Sequence, residues 1–115
     1  MPVKFEKEID KNGEITLTAQ LIGEIDHHSA VEIRECIDSA VKLIKPKGLT
    51  LDFSGVTFMD SSGVGLVMGR YKLMNYFGGS VTVKNVSERN EKILRLSGIE
   101  KIASIEKSVT RGEAV

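Results

Sequence analysis

The stretch from Thr57 to Lys72, TFMDSSGVGLVMGRYK, holds a carboxylate, adjacent serines and three glycines ahead of an apolar run. It suggests several kinds of chemistry. Ser61 or Ser62 with His27 or His28 and an aspartate would make a hydrolase. A nucleophile elbow, however, needs glycine two residues before and two after the serine. Ser61 has Met59 and Gly63 at those places, and Ser62 has Asp60 and Val64. Neither fits. The glycines also loosely suggest a dinucleotide turn. They begin inside a run of helical spacing, and the next apolar run ends in Lys84-Asn85, with no acid there to hold a ribose hydroxyl. Gly65 and Gly69, four apart, would instead let a neighbour approach the helix closely. His27-His28 lacks zinc spacing, and there is no P-loop or calcium loop. The residues call for no metal and no cofactor.

A different reading treats Asp60-Ser61-Ser62-Gly63 as a helix start. Asp60 or Ser61 can cap it by accepting from backbone N–H groups, and that alone would account for the residue types. The same geometry suits phosphorylation. A phosphoserine adds roughly −1.5 to −2 charges, and a helix N-terminus favours negative charge. The fold would tolerate the group, and its effect would fall on whatever docks there.

The elements that must position this segment follow from periodicity. Asn12-Gly13 predicts a two-residue type I′ turn between two strands. In the second strand Ile15, Leu17, Ala19 and Leu21 face one way, and Thr16, Thr18 and Gln20 the other. Ala30, Ile33, Ile37, Ala40, Val41 and Ile44 predict a first helix from about Ala30 to Ile44. Ser29 and Glu32 would form its capping box, and Gly23 to His28 the loop before it. Pro46 and Gly48 stop that helix. GLTLDFSGV reads as a strand. The next helix carries Val64, Val67, Met68, Tyr71 and Met74 on one stripe and closes at Gly78-Gly79. SVTVKNV is a strand, and Ser87 caps a third helix whose Ile93, Leu94 and Leu96 supply core contacts. EKIASIEKS reads as a last strand, and the tail TRGEAV as frayed. The order β-β-α-β-α-β-α-β predicts one α/β domain over residues 1–115, with a mixed sheet flanked by helices and an antiparallel N-terminal hairpin.

Composition narrows the function. The chain has 115 residues with 41% hydrophobic content, enough for one core. Its 16 basic and 16 acidic residues cancel, which disfavours nucleic acid or an anionic membrane as partner. The single cysteine, Cys36, forms no intrachain disulfide and reads as a small core residue. The N-terminus lacks the apolar stretch of a signal peptide, so a cytoplasmic protein is expected.

GEIDHHSA (residues 23–30), FMDSSGVG (58–65) and GRYK (69–72) together resemble the anti-sigma-factor antagonists, single-domain STAS proteins of spore-forming bacteria. MDSSG marks the broader group, stress-response members included. DHH with GRYK points to the sporulation, anti-sigma-F branch. The resemblance implies a non-enzymatic switch. The unphosphorylated form binds an anti-sigma factor that is also a serine kinase, and this releases the sigma factor. Phosphorylation inactivates the antagonist, and a metal-dependent serine/threonine phosphatase restores it. Carried over, the phosphorylated residue is Ser61, directly after the aspartate. The partner-binding surface is Asp26 and His27 with Asp60, Ser61, Ser62, Gly63, Val64 and Gly65. Ser29 replaces a common threonine and Val64 a common leucine, and neither change alters the mechanism implied. An antagonist in a stress-response pathway with a different sigma factor is the alternative.

Overall fold

In the computed structural model, which describes residues 2–107, the alternation seen in the sequence sets the layers. Leu17, Ala19 and Leu21 are buried, as are Leu49, Leu51 and Phe53, and Val81 and Val83. The register places Leu17 beside Leu49 and Leu49 beside Val81, so these side chains form one apolar sheet face. Their alternate neighbours, among them Thr16, Thr18, Thr50 and Asp52, line an open polar face. The described elements run β1 (Val3–Ile9), β2 (Ile15–Ile25), α1 (His27–Ile44), β3 (Gly48–Met59), α2 (Ser62–Tyr76), β4 (Ser80–Val86) and α3 (Glu88–Leu96). A 3-10 turn (Ile99–Lys101) and β5 (Ser104–Lys107) follow. The sheet order is β1-β2-β3-β4-β5. β1 pairs antiparallel with β2, and every later pair is parallel. Parallel steps taken in one direction by right-handed crossovers bring the helices to the same face. The expected α/β order and mixed sheet are observed, and the helices cover one side of the sheet rather than both. The tail read as frayed lies outside the described residues.

Several local expectations are corrected. The hairpin loop spans Lys11 to Gly13, since Ile9 pairs with Ile15 and Asp10 N–H donates to Glu14 C=O at 2.9 Å. Gly13 has φ +80°, whereas Asn12 is not in the positive-φ region. A three-residue loop needs the left-handed conformation only at its last position. Asp10 accounts for the difference, because its carboxylate accepts from the N–H groups of Asn12 and Glu14 at 2.8 and 3.0 Å.

The loop expected over residues 23–28 is mostly regular structure, because β2 runs to Ile25 and α1 begins at His27. β3 likewise continues to Met59, with Ile25 beside Met59 in register. In α2 the buried face is Gly63, Leu66, Val67, Arg70 and Met74. That is about one residue of rotation from the expected stripe, and it leaves Met68 39% exposed. In α3 Leu94 is buried, but Leu96 is 90% exposed. Cys36 is half-buried against the core.

Candidate functional site

β2 and β3 are parallel neighbours of matched length, so they deliver the starts of α1 and α2 side by side. Asp60 N–H donates to Ile25 C=O at 3.1 Å and closes the ladder there. The two segments singled out in the sequence, Asp26-His27 and residues 60–65, therefore meet at one end of the sheet.

Asp26, not Ser29, caps α1. Its Oδ1 accepts from Ser29 N–H at 2.8 Å and His28 N–H at 3.0 Å, and Ser29 Oγ accepts from Asp26 N–H at 2.9 Å. The reciprocal box exists three residues earlier than expected, with Ser29 as its inner member. Ser29 Oγ also donates to Glu24 C=O at 2.7 Å, tying the helix start to β2. The bond from Ser29 N–H, aided by that from His28, outweighs partial desolvation and lowers the Asp26 carboxyl below its ordinary range. A carboxyl lowered on folding stabilises the native state above its unfolded pKa. That contribution fades as pH falls through the lower native value. Asp26→Asn, still a good cap, is therefore expected to flatten the acid limb of stability below about pH 4, close to the ordinary carboxylate range. Denaturant melts at stepped pH check this, and an unchanged acid limb would refute it.

α2 starts differently. Ser61 occupies the cap position in helical geometry (φ −63°, ψ −14°), and its hydroxyl makes no capping bond. Asp60 does that work, its Oδ1 accepting from Ser62 N–H at 2.7 Å. Ser61 is left exposed, Ser62 and Val64 are half-buried, and Gly63 is buried. A Cβ built on Gly63 would collide with the thioether of Met59, itself fully buried. The bulk that Gly63 avoids is thus the protein's own. Gly65 and Gly69 face open space, with nothing within 4 Å of a built Cβ. The close neighbour expected at that pair is absent within the described residues. Both line a groove of about 500 Å³ between α1 and α2, together with His27, Val31, Arg34 and Ser62.

The glycines should therefore respond in opposite ways. Gly63→Ala is expected to cost about 1–2 kcal/mol through overpacking. Gly65→Ala should gain about 0.8–1 kcal/mol of helix propensity. Urea midpoints at constant slope measure both, and equal effects would overturn the distinction.

Two functional candidates escaped the sequence reading. Arg70, in GRYK, is 5% exposed and joins α2 to α1. Its Nε lies 2.8 Å from Asp38 Oδ1, and its Nη2 3.4 Å from Asp38 Oδ2. Burial pulls the Arg70 guanidinium down from its ordinary value, Asp38 opposes this, and Arg34 adds to it. Arg89, at the start of α3, reaches the end of β3. The signal for each was a cation at an apolar spacing or near a helix start, which alone says nothing of its partner. No group of metal-ligating side chains is present among the described residues.

Residues 6–112 match the STAS domain family. The chain is 38% identical over 89 residues to the anti-sigma F factor antagonist of Paenibacillus polymyxa, covering 77% of this chain and 76% of that one. This chain is a STAS domain of the anti-sigma factor antagonist family. The anti-sigma-B factor antagonist of Bacillus subtilis is 30% identical over 95 residues, covering 83% of this chain and 85% of that one. Among solved structures, the unphosphorylated form of the anti-sigma factor antagonist SpoIIAA superposes with TM-score 0.70 at 32% identity, covering 96% of this chain and 92% of that one. The phosphorylated form of the Bacillus cell fate determinant SpoIIAA gives TM-score 0.64 at the same 32% identity, covering 96% of each chain. A STAS antagonist of this type is a regulatory binding protein, not an enzyme. No helix among the described residues is long and apolar enough to cross a membrane.

Proposed function

We propose that the unphosphorylated protein binds an anti-sigma factor that is itself a serine kinase, and so frees a sporulation sigma factor in the cytoplasm. The kinase phosphorylates Ser61 and the complex dissociates. A metal-dependent serine/threonine phosphatase removes the phosphate. The docking surface is the paired start of α1 and α2: Asp26 and His27 with Asp60, Ser61, Ser62, Gly63, Val64 and Gly65. One observation carries this reading. Ser61 is exposed at a helix start, and its hydroxyl is not spent on capping because Asp60 caps in its place. The acceptor can change state without uncapping α2. The relative solved in both phosphorylation states supports the same cycle.

The test is incubation with the anti-sigma F factor of the same organism and ATP, followed by mapping of the phosphate by mass spectrometry. Modification of Ser61 is expected, and phosphate confined to another residue would sink the assignment. The 30% identity to an anti-sigma-B antagonist keeps a stress-response reading as second. Preferential retention of an anti-sigma-B-type factor in a competitive pull-down would favour it.

A further inference from the structure

We infer that Arg89 is a positioning residue for the phosphoacceptor segment, so that the working surface depends on α3 as well as on α1 and α2. Its functional meaning rests on the reading of Ser61 above, while its mechanism rests on the geometry around the Met59–Asp60 peptide.

The peptide linking Met59 to Asp60 has its N–H on one side and its C=O on the other. The N–H donates to Ile25 C=O at 3.1 Å, so that side faces β2. The Met59 carbonyl therefore points toward the β4 side. The β3–β4 ladder has already ended there, its last pair being Asp52 with Lys84. A strand carbonyl without a ladder partner needs another donor or water. Arg89 supplies one, since its Nη1 donates to Met59 O at 3.1 Å and to Asn90 Oδ1 at 3.1 Å. Its guanidinium also lies 5.2 Å from the ring centre of Phe58, a cation–π contact. One side chain thus grips two consecutive residues and stands in for the missing strand. Only Asp60 separates them from Ser61.

Helix stability does not explain this residue. Arg89 is the second residue of α3, where a cation opposes the helix dipole. Nor is it a core group, for it is exposed, and Phe58 beneath it is 43% exposed. Ser87 already caps α3 by accepting from Asn90 N–H at 3.2 Å. What remains, besides the bond to the side chain of its buried neighbour Asn90, is the contact with β3. Holding the Met59–Asp60 peptide fixes where α2 begins and where the Ser61 hydroxyl is presented.

The experiment uses the full chain as wild type, Arg89→Ala, Arg89→Met and Arg89→Lys. Amide hydrogen exchange at residues 61–63 is measured together with kinase kinetics and melting temperature. Arg89→Ala and Arg89→Met should exchange about tenfold faster at those amides, the scale of one lost charge-assisted bond. They should also raise KM for the kinase severalfold, with kcat little changed and with melting within a few degrees of wild type. Arg89→Lys keeps one donor and should recover part of both effects. Wild-type exchange at residues 61–63 in Arg89→Ala would overturn the inference. So would a loss seen equally at every amide, which would mean general destabilisation. If the wild type is not phosphorylated on Ser61 the functional reading fails, while the exchange data still decide whether Arg89 positions the segment.

Discussion

Asp38→Ala is expected to cost about 2–4 kcal/mol, slightly below the usual range for breaking a buried ion pair. The discount reflects exposure: the Asp38 side chain is 25% exposed, so part of its charge is hydrated. The cost arises mainly at the other partner. Arg70 is only 6% exposed at its side chain, and without Asp38 its guanidinium would sit uncompensated with Arg34 acting against it. For a domain of this size the melting temperature should fall by roughly 10 °C. Arg70→Met retains the apolar stem and leaves the more hydrated partner, so it should cost less than Asp38→Ala. The double variant Asp38→Leu/Arg70→Met should recover much of the loss, because an apolar pair of similar volume often replaces a buried ion pair without penalty. Urea denaturation of the three variants tests this. An Asp38→Ala cost below about 0.5 kcal/mol, the level of a weak surface pair, would show that the pair contributes nothing. The pair also bears on function, because it joins the two helices whose first turns form the proposed surface.

The same pair shows where the sequence stops being readable. A stripe of Val64, Val67, Met68, Tyr71 and Met74 and the observed one of Gly63, Leu66, Val67, Arg70 and Met74 differ by about one residue of rotation. Hydrophobicity favours the first because it counts arginine as exposed and glycine as empty. Only the partner, Asp38 on another helix, makes burial of Arg70 acceptable, and nothing local announces that partner. The strands were legible because Leu17, Ala19 and Leu21 alternate cleanly with threonines and glutamine. The end of β3 beyond Val56 was not, because past Asp52 the strand pairs with β2 alone, through Gly55, Val56, Phe58 and Met59 across two register shifts, and no alternation marks where it stops. The cap of α1 was ambiguous in kind: Asp26 and Ser29 are both good caps, and each has a suitable residue three positions on. Geometry chose Asp26 because β2 runs up to Ile25. The Asp-Ser-Ser-Gly helix start stands where the sequence put it, though its aspartate caps and its first serine does not. Arg89 was illegible because its role depends on a carbonyl left over by strand pairing.

Phosphorylation of Ser61 is expected to weaken anti-sigma factor binding by at least about 100-fold, which corresponds to roughly 2.7 kcal/mol. Melting should shift by no more than a few degrees. The two expectations come from the same geometry. At the isolated surface a phosphate near the N-terminus of α2 gains from the helix dipole. The Ser62 N–H, however, is already taken by the Asp60 carboxylate at 2.7 Å, so the new anion meets a like charge beside it. Gain and repulsion oppose each other while both groups remain hydrated, and the fold hardly registers the change. In a complex the water is removed, and the dianion and the carboxylate are buried together against the partner. Their repulsion and desolvation then grow, and the complex carries the full cost. Ser61→Ala should bind within a fewfold of wild type and resist the kinase. Ser61→Asp, with a single charge and a smaller group, should lose only about tenfold. Asp60→Asn should keep a cap for α2, since asparagine also accepts the Ser62 N–H, and should relieve part of the penalty in the phosphorylated form. Calorimetric titration of the phosphorylated and unphosphorylated proteins, with and without Asp60→Asn, separates the terms. Equal affinity in both phosphorylation states would end the switch reading. A melting loss of ten degrees or more would replace it with a switch by unfolding. A penalty unchanged by Asp60→Asn would assign the effect to the phosphate's size and desolvation, with no share for its neighbour.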